Sequence, residues 1–120
     1  MNEQYKLFDA EYKFMLIIWE NEPINSTQLV KLCNEELGWK KSTTYTVLKK
    51  LQNRDILKNE KAIVTSLVKF NEVRKYESEQ LLDKAFNSSL PKFLATFLND
   101  KKITDEEAKE LKRIIDESRG

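Results

Sequence analysis

Residues 38 to 54 run Gly-Trp-Lys-Lys-Ser-Thr-Thr-Tyr-Thr-Val-Leu-Lys-Lys-Leu-Gln-Asn-Arg, and two kinds of side chain in that run can do chemistry on a partner. Lys40, Lys41, Lys49 and Lys50 carry ammonium groups suited to phosphate oxygens, an attraction that ignores base sequence and weakens with salt. Ser42, Thr43 and Thr46 are short hydroxyl residues that can approach a base edge, hydrogen-bond there or touch a thymine methyl. Tyr45 is long enough for the sugar-phosphate backbone. The spacing places Thr44, Val47, Leu48 and Leu51 on one face of a helix running from about Lys41–Ser42 to about Arg54, with the lysines, the hydroxyl residues and Asn53 on the others. Such a helix suits a DNA major groove. Lys40 and Lys41 also lie where the first backbone N–H groups favour a phosphate. Lysines on an exposed helix face are usually only solvated, so the surrounding elements must decide.

Those elements are short helices. Asp9 can cap a first helix whose Tyr12, Met15, Ile18 and Trp19 recur at helical spacing, with Phe14 and Ile17 widening the apolar face and Glu22-Pro23 stopping it. Asn25 with Gln28 reads as a capping box, with Ile24 as the staple before it. The second helix then runs to about Leu37, burying Leu29, Leu32 and Cys33, and Gly38 ends it. Two short helices, a tight link and a third helix with a lysine-and-hydroxyl outer face make a helix-turn-helix. Residues 56–60 and 62–68 favour β structure around Glu60-Lys61 and read as a short two-stranded hairpin, a wing; Lys58 and Lys61 on it can reach a neighbouring groove or backbone. An irregular connection is the alternative.

The tail has a different texture. One helix is expected over about 72–86, with Val73, Tyr76, Leu81, Leu82, Ala85 and Phe86 as its apolar set. Leu90, Phe93, Leu94, Phe97 and Leu98 then form a dense apolar stripe at i, i+3, i+4, i+7, i+8, with Pro91 in the first turn. A last helix opens on a Thr104/Glu107 capping box and carries Ala108, Leu111, Ile114 and Ile115. About fifty residues are few for an independent core. Pairing with a second copy of the chain satisfies these stripes, centred on Phe93, Leu94, Phe97 and Leu98 and extended by Leu90, Leu111, Ile114 and Ile115; folding back on the first domain is the alternative. The fold expected is mainly α with a small β-wing: a winged helix-turn-helix domain over 1–70, followed by a helical dimerisation region over 71–120.

The bulk composition narrows the function. Net charge is +1, so position matters more than the sum: residues 40–61 hold seven Lys/Arg against Asp55 and Glu60, whereas residues 71–120 hold ten basic and eleven acidic residues. There is no histidine and Cys33 is the single cysteine, which excludes His catalysis and an intramolecular disulfide and argues against a dedicated zinc site. No Gly-rich phosphate loop or paired-acid site appears. The reading is therefore a non-enzyme with no cofactor and no metal, and Cys33 is a small buried hydrophobe. Without a signal peptide pattern or a run of membrane-spanning length, a cytoplasmic location is the default and membrane insertion is not expected.

The pattern Trp39, Thr43, Thr46, Leu48, Leu51, with basic residues at 50 and 54, resembles the penicillinase-repressor family (BlaI/MecI), to which the copper-responsive CopY repressors are related. The opening Glu11-Tyr12-Lys13-Phe14-Met15-Leu16-Ile17-Ile18-Trp19 and the tail segments Ser89–Leu94 and Thr104–Leu111 look like that family too, so the resemblance covers nearly the whole chain. It implies a homodimeric repressor of β-lactamase or other β-lactam resistance genes. The winged helix would bind a palindromic operator in double-stranded DNA, and a membrane sensor-protease system would relieve repression by cutting within the dimerisation region. The family's cut at an Asn-Phe bond corresponds here to Thr96-Phe97. The chain departs from the family pattern at Thr96, at Asp55 where a Gly is usual, at Lys50 where an Arg is usual, and in a shorter wing. The cysteine pairs of the copper-sensing relatives are missing. Two rivals stay open: a repressor of the same family controlling a different operon, and a winged-helix module that docks a protein instead of DNA.

Overall fold

The computed structural model of the chain describes residues 5–120. Helix α1 (Asp9–Asn21) buries Phe14, Met15, Ile17 and Ile18 and stops at Glu22, which is held extended before Pro23. The cap differs from the one expected. Phe8, not Asp9, occupies the N-cap, and its N–H donates to Glu11 Oε1 at 3.0 Å. A carboxylate at the third helical position thus satisfies the chain entering the helix, and Asp9 lies in the first turn, where its charge faces the helix's positive end.

Helix α2 (Ser26–Leu37) is capped by Asn25 as expected, but the Asn25 side chain accepts from the Thr27 N–H at 2.8 Å and Gln28 takes no part in a box. The short Asx side chain reaches the second helical N–H and closes its own turn. Gly38 ends α2 with φ 71°, a conformation that favours glycine, and its N–H returns to the Asn34 carbonyl at 3.0 Å. Helix α3 spans Lys41–Asn53, with Thr44, Leu48 and Leu51 buried and Val47 half-buried. Trp39, in the link between α2 and α3, stacks on Phe14 of α1 with ring centroids 5.7 Å apart.

The hairpin forms, with two differences from the sequence reading. Strands β2 (Leu57–Glu60) and β3 (Ile63–Ser66), numbered after a short β1 (Ile24–Asn25), pair antiparallel with Glu60 opposite Ile63. The turn residues are therefore Lys61 and Ala62, not Glu60-Lys61, and both have positive φ (53° and 66°). Two-residue hairpin loops need that sense of twist, and the ladder on either side holds it at about 1–2 kcal/mol for each non-glycine residue. The second difference is β1, which pairs with β3 and makes a three-stranded sheet in the order β1-β3-β2. Glu22 locks the far end: its carboxylate accepts from the Ser66 N–H at 2.7 Å and the Ser66 hydroxyl at 2.9 Å, while the Trp19 indole N–H donates to the Val68 carbonyl at 3.0 Å. Ile56, Leu57, Val64 and Val68 complete the core begun by α1, Leu29 and Leu51.

Helix α4 runs Phe70–Phe86, two residues earlier than the pattern suggested, because Glu72 accepts the Lys69 N–H at 2.8 Å and closes the entry. The chain divides into two compact units between Gln80 and Leu81, within this helix. The expected apolar set of α4 divides as well: Val73 is fully buried, whereas Leu81 is 48% exposed.

In the second unit, Asn87 and Ser88 turn the chain with positive φ, and Ser89 caps α5 (Leu90–Phe97) by accepting the Lys92 N–H at 3.1 Å. Phe86, Phe93 and Phe97 form an aromatic row, with centroid separations of 5.3 and 5.6 Å. Helix α6 (Asp105–Ser118) opens on the expected Thr104/Glu107 box, both arms of which are made. No residue from Leu81 to Gly120 is fully buried.

Candidate nucleic-acid interface

Helix α3 presents the surface from which an interface can be built. Its buried stripe of Thr44, Leu48 and Leu51 fixes its rotation, because turning it would pull leucines out of the core. Lys40, Lys41, Ser42, Thr43, Tyr45, Thr46, Lys49 and Lys50 are consequently all exposed. Tyr45, Thr46, Lys49, Lys50 and Asn53 line one shallow groove along the outer face. The Thr46 hydroxyl donates to the Ser42 carbonyl one turn back, at 2.9 Å. Its proton is thereby occupied, and the methyl group and the oxygen lone pairs are what it offers outward. On the wing, Lys61 is exposed at the turn, while Lys58 pairs with Glu60 at 3.4 Å, which reduces the net positive charge of that strand.

The far end of α3 carries an arrangement that the sequence did not reveal. Glu11, only 5% exposed in its side chain, faces two cations: Lys50 in α3 at 3.2 Å and Arg54, the residue that caps its C-terminal end, at 3.1 Å. Burial by itself raises the Glu11 carboxyl; the Phe8 N–H and the Lys50 and Arg54 side chains outweigh it and hold the group below its ordinary value. Arg54 also donates to the Lys6 carbonyl at 2.5 Å, so one guanidinium ties α3 to the segment before α1. A glutamate in an amphipathic helix reads as part of the polar face, and nothing local signals that two cations some forty residues later will surround it.

Cys33 is fully buried in α2 against α3, and desolvation pushes its thiol up to about 11. The second unit offers a different kind of surface. Leu90 and Phe97 are each 52% exposed, Ile114 and Ile115 are 46% and 51% exposed, and Phe93, Leu94, Leu98 and Leu111 are half-buried. The Thr96-Phe97 bond lies in the last turn of α5, where the Leu98 N–H still bonds to the Leu94 carbonyl at 2.9 Å. Among the described residues, no helix is long and apolar enough to cross a membrane, and no group of three or more His, Cys, Asp or Glu side chains is placed to hold a metal ion.

The family model described as penicillinase repressor matches residues 7–117, nearly the whole chain. The chain belongs to the penicillinase repressor family. It is 25% identical over 119 residues to the penicillinase repressor of Bacillus licheniformis, a match covering 96% of this chain and 93% of that protein. It is 21% identical over 118 residues to the methicillin resistance regulatory protein MecI of Staphylococcus aureus (strain Mu50 / ATCC 700699), covering 95% and 96%. The stretch shared with the penicillinase repressor family runs from Leu7 to Glu117, so it takes in the Glu11 cluster, the whole of α3, the three-stranded sheet and the aromatic row of α5.

Proposed function

We propose that this member of the penicillinase repressor family is a homodimeric DNA-binding transcriptional repressor of β-lactamase or related β-lactam resistance genes. The observation that carries the reading is the outer face of α3, where exposed lysines flank exposed short hydroxyl residues on a helix locked in rotation by its core stripe. Lys40, Lys41, Lys49 and Lys50 supply affinity through phosphates; Ser42, Thr43 and Thr46 read base edges; Tyr45 meets the backbone; Lys61, with Lys58 beside it, extends the contact from the wing.

Residues 1–70 do the reading and residues 71–120 do the pairing. Leu90, Phe97, Ile114 and Ile115 leave too much apolar surface in water for a small unit without a buried residue, and a second copy covers it. Two recognition helices then meet the half-sites of a palindromic operator, the second at high effective concentration. Cleavage at Thr96-Phe97 by a membrane sensor-protease system removes that gain without touching a DNA-contacting residue. An eight-residue helix is a cheap one to open for a protease.

The test is a binding titration on the DNA upstream of the chain's own gene across a range of salt. Lys49→Ala lowers the salt slope by about 0.9 for each phosphate that is no longer neutralised. Thr46→Ala changes the preference for that DNA over a scrambled duplex and leaves the slope in place. Absence of salt-dependent binding to any duplex overturns the proposal and favours a protein partner for the winged helix. Binding to DNA that controls no β-lactam resistance gene keeps the repressor and reassigns its operon.

A further inference from the structure

The segment entering α1 carries a side chain that the fold has no use for. Phe8 is 60% exposed, the most exposed of the large hydrophobic residues described. Leu7 beside it is buried, so the chain is anchored there, and Phe8 is directed outward by the same backbone. Two ammonium groups lie against its ring: Lys6 at 5.7 Å from the centroid and Lys50 at 5.9 Å. The segment is held at both ends, through the Lys6 carbonyl on Arg54 and the Phe8 N–H on Glu11. It is fastened to the C-terminal end of α3 through Arg54 and to α1 through Glu11. Lys50 belongs at once to this cluster and to the groove lined by Tyr45, Thr46, Lys49 and Asn53, so the two surfaces are continuous.

We infer that Lys6 and Phe8 form a second DNA-contacting element, which grips the sugar-phosphate backbone beside the groove that α3 enters. The inference rests on the DNA-binding reading of α3. Its occupant is double-stranded DNA because the charge there is complementary to phosphate. Glu11 is buried and answered by Arg54, so Lys6 and Lys50 set the sign of what faces solvent. An aromatic ring with two cations at 5.7 and 5.9 Å from its centroid offers apolar surface to the sugars and positive charge to the phosphates of a strand. Asp9, the next residue, is an exposed carboxylate and opposes the contact. The element reads no bases, so it adds affinity on any sequence.

The experiment is a fluorescence-anisotropy titration of the full chain on a labelled random-sequence duplex at several salt concentrations. Lys6→Ala is expected to lower the salt slope by about 0.9 for each phosphate that is no longer neutralised, which makes the fall in affinity from about 50 to about 200 mM salt about 3.5-fold smaller per phosphate. Phe8→Ala weakens binding at every salt concentration without changing the slope. Asp9→Asn strengthens binding, an effect that fades at high salt. All three sites are exposed, and circular dichroism of each variant is the control for retained helices. If the wild type binds and all three variants follow its curve, this contact is refuted while α3 stands. If the wild type itself shows no binding to duplex DNA, both readings fall together.

Discussion

Replacing Glu11 by Gln tests whether the buried carboxylate holds α3 to α1. The substitution keeps the volume and leaves one oxygen to accept the Phe8 N–H and the Arg54 guanidinium, while an amide NH2 replaces the oxygen that faced Lys50. Lys50 is 56% exposed, and water recovers most of what its ion pair supplies, leaving about 0–1 kcal/mol. Arg54 is 30% exposed and keeps a direct bond to the same residue, which falls from the charge-assisted to the neutral class, a decrease of about 1 kcal/mol. Together the variant is less stable at neutral pH by about 1–2 kcal/mol. The pH dependence gives a second reading. The folded Glu11 carboxyl lies below its ordinary 4.5, so its contribution is present above that value and is lost as pH falls through the lower folded value. Urea unfolding across the acid range should therefore show the wild type and Glu11→Gln converging as pH drops below about 4.5, and separated at neutral pH. Equal urea midpoints at neutral pH, or a gap that persists undiminished in acid, refutes the reasoning.

Three further outcomes follow from the same geometry. Phe97→Asp places a charge at the centre of the proposed pairing surface and yields monomers with much weaker operator binding; a dimer persisting in sedimentation at micromolar concentration overturns that interface. Gly38→Ala puts a Cβ on a residue at φ 71°, where no neighbouring atom blocks it, so the cost is backbone strain alone, about 1 kcal/mol in thermal or chemical unfolding. Cys33 resists alkylation in the native protein at pH 8 and reacts on unfolding. Because its folded value of about 11 exceeds the ordinary 9.0, the stability it confers is complete below 9.0 and is lost as pH rises toward 11.

What the sequence made legible was whatever is written in neighbouring residues. The helices announce themselves through apolar spacing, and the stop at Gly38 and the start at Thr104 are local dihedral or hydrogen-bonding facts that residue type alone can signal. The outward face of α3 followed from the inward face, since only one rotation buries Leu48 and Leu51. Three features depended on distant partners and were hidden. Ile24-Asn25 looked only like the approach to a helix, because its strand character comes from pairing with Val64 and Ile63 some forty residues on. The Lys61-Ala62 turn has neither Gly nor Asn, so the ladder imposes a conformation that the residues do not advertise. Glu11 resembled any surface glutamate until the fold brought Lys50 and Arg54 to it.

The pairing of β1 with β3 sets a timetable for a chain emerging from the ribosome. When α3 has just been synthesised, Ile24 and Asn25 have no strand to join and Glu22 has no Ser66 to hold. The helix with the lysines already has its partners on α1 and α2, Glu11 among them, but not yet the sheet. Only after Val68 has followed, and the Trp19 indole can close on its carbonyl, are all the fastenings of α1 to the sheet available. Non-local pairings cost more chain entropy than neighbouring ones, so a chain interrupted before residue 66 carries the whole of α3 without the β1-β3-β2 sheet and the Glu22 contact that complete its first unit.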